Sequence, residues 1–138
     1  MAFYLSTNFN LMIKRRFLMF LTSMMMVIVG FSQNTNNLKF AVTEYAFGKI
    51  PQNKPVTYSF NFQNTGTKQV IIENAVAECG CTKPIFPEQP IMKDKFAKIT
   101  VTYDAKDIGS FTKKITVSIV NSKEPIILTI TGEVVKEK

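Results

Sequence analysis

Residues 56–63 have the sequence VTYSFNFQ, in which apolar and polar side chains alternate at every step. Alternate side chains of an extended chain point to the same side, so the apolar set shares one face. That set consists of Val56, Tyr58, Phe60 and Phe62. A strand with one apolar and one polar face is half buried and needs a second layer to cover its apolar side. The segment therefore predicts a sheet that packs face to face with another sheet.

The two-residue period returns farther along the chain and predicts several strands of the same kind. Alternating segments cover residues 97–103, 115–119 and 126–131. Further strands are expected over residues 38–47 and 68–78, with a short additional one near Pro90 to Lys93. Segments rich in turn-forming residues separate the strands, at residues 64–66, 106–109 and 121–125.

About seven half-buried strands in about 100 residues are typical of an immunoglobulin-like antiparallel β-sandwich. The polar outer faces exclude the parallel sheet of an α/β fold, whose strands are buried on both sides. The chain contains no Trp, and its two cysteines are too close in sequence to bridge opposite sheets. We therefore predict an all-β, immunoglobulin-like sandwich built from a run of antiparallel hairpins, without the hallmarks of a true immunoglobulin domain.

The N-terminus has the charge order of a signal peptide. Lys14, Arg15 and Arg16 precede residues 17–31, which contain no charged residue. This uncharged segment is shorter than the roughly 20 apolar residues that a membrane-spanning helix requires, and it fits the hydrophobic helix of a signal peptide. Small residues at positions 30 and 32 suit cleavage before residue 33. An uncleaved N-terminal anchor is the alternative interpretation.

These features divide the chain into a predicted signal peptide (residues 1–32), a polar flexible leader (33–37) and the sandwich domain (38–138). Met12 is the better translation start, because the first positive charge lies unusually far from Met1. We expect an exported protein, either periplasmic, associated with the cell envelope or secreted. No stable membrane span is expected after cleavage.

The basic composition of the chain belongs partly to this N-terminal segment. The chain has 17 basic and 10 acidic residues, and three of the basic residues lie in the predicted signal peptide. Every basic residue that remains is Lys, which lacks the planar, bidentate donor group that favours recognition of phosphates and guanine. We therefore expect no nucleic-acid partner.

Both cysteines of the chain lie in one short motif, Cys79-Gly80-Cys81. Two thiols this close in an oxidising compartment are expected to form a disulfide or to hold a ligand. A glycine between them can adopt backbone angles that bring the two Cα atoms into the range of about 4.4 to 6.8 Å that a disulfide requires. Such a bridge closes a very short loop, so we expect it to contribute little to stability and to be easily reduced.

Three interpretations of the motif remain open at this point. It forms a local turn or small disulfide, it performs thiol–disulfide chemistry, or it binds copper(I) with help from Met92. A structural zinc site needs four ligands, which two cysteines and no histidine cannot supply. The absence of histidine also removes the commonest general base, so we predict neither an enzyme nor a cofactor or metal requirement.

Several short motifs together resemble one bacterial family. They are Phe47-Gly48-Lys49-Ile50, the block from Tyr58 to Gly66, Cys79-Gly80-Cys81-Thr82, the Pro84 to Pro87 spacing, Val101-Thr102-Tyr103-Asp104, and Gly109 before Phe111. From about Ala46 to Val134, the chain resembles the domain of unknown function 1573 family. One departure is Lys93-Asp94, where family members often carry Pro-Gly in a turn.

The resemblance implies an exported, immunoglobulin-like domain, as in many proteins of Bacteroidota-type bacteria, similar to sandwich modules of ciliary and centrosomal proteins. It assigns one suspected functional or disulfide pair, Cys79 and Cys81, with Gly80, Thr82 and Pro84 as a supporting loop. We expect a non-catalytic binding or structural module of the bacterial cell envelope. Its partner is expected to be an envelope protein or surface polymer, bound through loops or an edge strand. The alternative is a thiol–disulfide or copper-handling protein.

Overall fold

The computed structural model describes residues 37–137, which form eight β-strands. In chain order these are β1 (Leu38–Phe40), β2 (Glu44–Pro51), β3 (Val56–Asn64), β4 (Ile72–Ala77), β5 (Thr82–Ile85), β6 (Phe96–Tyr103), β7 (Gly109–Ile119) and β8 (Ile126–Val135). The predicted signal peptide and nearly all of the predicted leader lie outside the described residues. Within residues 37–137 there is no helix with the length and apolar character needed to span a membrane.

The strands form two four-stranded sheets, which confirms the predicted two-layer sandwich. The first sheet has the order β1-β3-β6-β5, and the second has the order β2-β8-β7-β4. All strand pairs are antiparallel except β2 and β8, which run parallel. The predicted run of hairpins is wrong, because only β5–β6 and β7–β8 pair with their neighbours in sequence. The chain instead passes repeatedly from one sheet to the other.

The alternation seen in the sequence defines the core between the two sheets. Phe60 and Phe62 are buried on β3, and on β6 Ile99 is buried opposite Phe60, with Val101 buried opposite Tyr58. The second sheet supplies the opposing layer, with Ile115, Val117, Leu128 and Ile130 fully buried. Burial of these side chains, at about 1.5 to 3 kcal/mol each, is the main force that holds the sheets together.

The single strand predicted over residues 38–47 is in fact two strands in different sheets. Ala41 N donates to Asn61 O at 3.0 Å, next to β1 in the first sheet. Two residues later, Thr129 N donates to Thr43 O at 2.8 Å, at the start of the β2–β8 pair in the second sheet. We call residues 41–43 the first crossing. Each half alternates, but the core-facing positions change from even, Leu38 and Phe40, to odd, Tyr45 and Phe47, and a single continuous strand does not account for that change of phase.

A buried asparagine organises the loop that follows β3. Asn64 is fully buried, and its side-chain amide donates to Lys68 O at 2.9 Å and Ile91 O at 2.8 Å. Its Oδ1 accepts from Gly66 N at 2.9 Å. Val70 and Ile91 form an isolated bridge there, so the predicted short strand near residues 90–93 is wrong, and the strand predicted over 68–78 is confirmed only as β4.

All four edge strands of the sandwich are poorly suited to recruit a further strand. β1 has only three residues, and β2 and β4 each contain a register shift. β5 has four residues and includes Pro84, which has no N–H to donate. Short strands, bulges and prolines are the features by which sheet edges avoid uncontrolled pairing. Binding through a face is therefore better supported than binding through an edge.

Candidate functional site

Residues 78–81 carry the chain from β4, at the edge of the second sheet, to β5, at the edge of the first. We call this segment the second crossing. Glu78 is tied to β7 in both directions, since Glu78 N donates to Lys114 O at 3.2 Å and Lys114 N donates to Glu78 Oε2 at 3.3 Å. At the other end, Asp104 N donates to Cys81 O at 3.0 Å. Backbone hydrogen bonds therefore hold the segment to both sheets.

The two cysteines of the second crossing are at disulfide distance. Their Cα atoms are 5.2 Å apart, inside the range expected from the sequence. Thr82 N donates to Cys79 O at 3.3 Å and closes a tight turn around the pair. The Thr82 hydroxyl lies 3.7 Å from each of the two sulfur atoms, and its residue is buried. Thr82 thus forms the floor of the site beneath the sulfurs.

Gly80 does not use the conformational freedom that the sequence suggested for it. Its φ is outside the left-handed region, and a Cβ added there would have no heavy atom within 4 Å other than those of Gly80 and its two chain neighbours. An alanine would therefore fit without moving any residue beyond the two adjacent cysteines. What the glycine provides is open space beside the disulfide, because Gly80 is exposed and carries no side chain.

Thr82 and Pro84 are strand residues, so their assignment to a supporting loop is wrong. They face inward on β5, opposite Tyr103 and Val101 of β6. Lys83 and Ile85 point outward between and beyond them. The sequence missed β5 because this four-residue segment has a lysine and a proline where an alternating aliphatic pattern would be expected.

A cleft of about 250 Å³ opens beside the second crossing, and we call it the CxC cleft. Its lining includes Gly80, Cys81, Lys83, Asp104 and Lys106, whereas Cys79 does not contribute to it. The Lys106 ammonium lies 3.5 Å from the Asp104 carboxylate. Lys83 has no ion-pair partner among residues 37–137, so the cleft carries an unbalanced positive charge.

A buried tyrosine lies next to this cleft. Tyr103 is directly opposite Thr82 in the β5–β6 pair and is almost fully buried. Burial raises the pKa of its phenol, and the charges of Asp104 and Asp107 raise it further. The phenol is therefore neutral at physiological pH and serves as packing under the site.

The structure separates Met92 from the cysteines, so the expectation that it helps to bind copper is wrong. Met92 O accepts from Lys95 N just before β6 begins, whereas Cys81 O accepts from Asp104 N just after β6 ends. An eight-residue strand spans roughly 24 Å, far beyond any metal–ligand distance. Residues 37–137 contain no cluster of three or more His, Cys, Asp or Glu side chains that could hold a metal ion.

The outer side of the first sheet is a second candidate surface. The outward positions of β1, β3, β5 and β6 include Lys39, Lys83 and Lys98, and two exposed apolar residues, Ile85 and Phe96. All other outward positions of these four strands are Ser, Thr, Asn or Gln, and none is acidic. We call this surface the cationic face. Phe96 is 76% exposed, an unusual position for a phenylalanine.

Hydroxyl pairs stiffen the middle of the cationic face. Thr57 and Thr102 hydroxyls are 2.9 Å apart, and those of Ser59 and Thr100 are 3.0 Å apart. Near Phe96 lies a shallow pocket of about 200 Å³, whose lining includes Lys39, Phe40 and Phe62. The outer side of the second sheet differs because it carries carboxylates as well as lysines, for example Glu133 on β8 and Lys114 on β7.

Comparison with solved structures shows the same sandwich in proteins of very different sequence. A PapD-like domain (PapD-like domain 7) of human CEP192 matches with a TM-score of 0.64 and 9% identity, over 74% of this chain and 87% of that domain. A protein of unknown function from Porphyromonas gingivalis matches with a TM-score of 0.60 and 9% identity, over 70% of this chain and 46% of that one. The VesB protease of Vibrio cholerae matches with a TM-score of 0.57 and 13% identity, over 72% of this chain and 32% of the protease.

At these identities the likeness establishes the fold alone. The chain spans most of the CEP192 domain, under half of the Porphyromonas protein and about a third of the protease, so the sandwich is one part of the larger two. No curated protein sequence matches this chain. A family model does match, over residues 38–134, and it begins slightly before the region that the sequence motifs marked. The chain therefore belongs to the family described as "Protein of unknown function (DUF1573)".

Proposed function

We propose that this protein is an exported, non-catalytic binding module of the bacterial cell envelope, and that its cationic face binds an acidic segment of another envelope protein. The observation that carries the proposal is the composition of that face. Three lysines and two exposed apolar side chains occur there without a single carboxylate among the outward strand positions. A surface with this composition is complementary to carboxylates that flank an apolar side chain.

The exposed apolar side chains favour a protein partner over an anionic surface polymer. Phe96 and Ile85 are 76% and 67% exposed, and the removal of such area from water contributes about 25 cal/mol per Å². A polyanionic polymer would use the lysines but would leave this apolar area exposed. The pocket beside Phe96 can receive an apolar side chain, while Lys39 and Lys98 lie on the same face to pair with acidic neighbours.

Export is supported by the sequence of the N-terminal segment. Lys14, Arg15 and Arg16 followed by 15 uncharged residues have the charge order that export machinery recognises. Sequencing of the N-terminus of protein taken from the envelope fraction should give Gln33 as the first residue. A chain that retains the segment, or that is found with the cytoplasmic fraction, would contradict this part of the proposal.

Two matched double variants test the binding face. Phe96→Ser with Lys98→Glu alters the cationic face, whereas Ile127→Ser with Lys114→Glu makes the same kinds of change on the outer side of the second sheet. We expect the first variant to lose binding to isolated native envelopes by at least about tenfold, since it reverses one charge and removes the largest exposed apolar group. The second should bind like the unaltered protein.

The same binding measurement identifies the class of partner. Binding through a charged face should weaken as salt rises, because mobile ions screen exposed charges beyond about 8 Å at physiological ionic strength. Protease treatment of the envelopes should abolish it. Undiminished binding to protease-treated envelopes would assign the face to a polymer, and equal binding by both double variants would remove the face from consideration.

A further inference from the structure

We infer that the Cys79–Cys81 disulfide is a site of thiol–disulfide exchange with an external dithiol, and that the incoming thiolate attacks Cys81 from the CxC cleft. The CxC cleft adjoins the cationic face and shares Lys83 with it. The inference does not rest on the proposed binding function, because it is argued from the cysteine pair and the residues around it. The two cysteines, which the sequence alone leaves equivalent, have different roles in this reaction.

Access favours Cys81 as the sulfur that is attacked. Cys81 lines the CxC cleft together with Gly80, whereas Cys79 does not. Gly80 is exposed and has no side chain, so it places no side-chain atom over the approach to Cys81. Exchange requires a thiolate to reach a sulfur atom, and the sulfur that is reached accepts the new bond. The cleft therefore directs attack to Cys81.

The charge of the cleft favours the approach of a thiolate. Lys83 and Lys106 line the cleft, and the one carboxylate among its lining residues, Asp104, lies 3.5 Å from the Lys106 ammonium. The lysine left without an ion-pair partner, Lys83, directly follows Thr82 on β5. A positive charge at this place attracts an anionic thiolate and stabilises it as it approaches.

A hydrogen-bond donor lies beside the sulfur that leaves. The Thr82 hydroxyl is 3.7 Å from each sulfur, so it does not distinguish the two cysteines, but it can donate a hydrogen bond to the thiolate that forms on Cys79. Thr82 is buried and fixed on β5, where it faces Tyr103. The hydroxyl is therefore in position before the reaction begins.

The exchange takes place in two steps. The thiolate of the reduced dithiol bonds to Cys81 Sγ, the disulfide bond breaks, and its electron pair goes to Cys79 Sγ, which takes up a proton. The second thiol of the dithiol loses its proton and attacks the mixed disulfide, which releases Cys81 as a thiolate that is then protonated. The dithiol is oxidised to its own disulfide, and the protein is reduced to two thiols.

The second crossing is held in place without the disulfide, so the fold should persist after reduction. The backbone bonds from Glu78 to Lys114 and from Asp104 to Cys81 hold the second crossing to both sheets without the sulfur–sulfur bond. The bridge closes a loop of only three residues, so its loss releases little chain entropy. Reduction thus creates two thiols on an intact sandwich.

Single-cysteine variants of the full chain test the assignment. Cys79→Ser leaves Cys81 as the only thiol, and Cys81→Ser leaves Cys79. We expect Cys81 to react with the anionic disulfide 5,5′-dithiobis(2-nitrobenzoate) at least about fivefold faster than Cys79 does, in line with the attraction of one nearby charge. Adding Lys83→Gln should slow Cys81 more with this anionic probe than with neutral iodoacetamide, which responds only to the smaller thiolate fraction, and the control Lys98→Gln should change neither rate.

A second measurement uses the unaltered protein and does not depend on the variants folding. Brief treatment with glutathione, followed at once by N-ethylmaleimide, should give glutathione on Cys81 and the maleimide on Cys79, as mapped by fragmentation mass spectrometry. Glutathione found mainly on Cys79 would overturn the inference. So would equal rates for the two single-cysteine variants, or a bridge that resists excess reduced dithiol in the folded protein.

Discussion

Of the five places where residues 37–137 change sheets, the first and second crossings lie on the two open sides of the sandwich, and the chain is held differently at these two. At the first crossing, aromatic rings fill the side of the sandwich. Tyr45 of β2 stacks on Tyr58 of β3 with ring centroids 3.6 Å apart, and Phe40 of β1 lies 4.9 Å from Phe62 of β3. At the second crossing, the flanking residues are small, and a disulfide spans the turn.

The difference shows that the open side of a β-sandwich core can be closed either by large side chains or by a disulfide. Large rings bridge the gap between sheets and exclude water, so the first crossing needs no covalent bond. The second crossing has Ala77 and Thr82 on either side of the turn, and these side chains are too short to do the same. Cys81 instead packs against the edge of the core itself. A disulfide is a compact apolar group, so it contributes packing as well as a covalent link.

The largest expected effect is at the first crossing. Tyr58→Ala removes the ring that stacks on Tyr45 and also meets Phe60 edge-on at 5.0 Å. We expect the free energy of unfolding to fall by about 3 kcal/mol, as measured by urea denaturation. Asn61→Ala, on the exposed side of the same strand, should change it by less than about 0.5 kcal/mol. A loss below about 1 kcal/mol for Tyr58→Ala would mean that the rings do not close this side.

The second effect is smaller because the bridge at the second crossing closes a three-residue loop. The double variant Cys79→Ser, Cys81→Ser should lower the free energy of unfolding by about 1.5 kcal/mol, from the entropy of so short a loop. Chemical reduction of the unaltered protein should produce a similar loss in the same denaturation experiment. If either change destabilised the protein more than Tyr58→Ala does, the second crossing rather than the first would be the more important for stability.

The smallest effect contrasts Gly48 of β2, the strand that follows the first crossing, with Gly80 of the second crossing. Gly48 lies in the β2 bulge with a φ of 70°, whereas Gly80 lies outside the left-handed region. Gly48→Ala should therefore reduce stability by about 1 kcal/mol, and Gly80→Ala should change it by less than about 0.5 kcal/mol. Thermal melts of the two variants side by side provide the measurement. Equal shifts in Tm would show that the conformation of Gly80 is more restricted than its backbone angles indicate.

Much of the sandwich follows from local alternation. The period of two places β3, β6, β7 and β8, and it identifies core residues such as Phe60 and Ile99. A change of phase between Phe40 and Tyr45 marks a break at residues 41–43 that was missed, but the sheet that each half joins depends on pairing with β3 and β8, which lie far away in sequence. Asn64 offered a signal that was missed, because it occupies an inward position two residues after Phe62.

The site was predicted less completely than the fold. The sequence identified the cysteine pair but not the cleft beside it, because Lys83 and Lys106 come together only through the pairing of β5 with β6. The turn at Lys93-Asp94, where family members often carry Pro-Gly, keeps the expected geometry. Asp94 takes a φ of 62° in the turn closed by the bond from Lys95 N to Met92 O, which is the conformation that a glycine adopts after proline in a type II turn.

The parallel pairing of β2 with β8 sets the order in which this domain can fold. Glu44 and Thr129 are paired although about 85 positions separate them, and β8 lies in the middle of the second sheet. Contacts of such long range form slowly because a large loop must close first. A chain that emerges N-terminus first therefore keeps β2 without its neighbour until the last strand is available, so the β2 edge of the second sheet forms last, although β4 and β7 can pair before it.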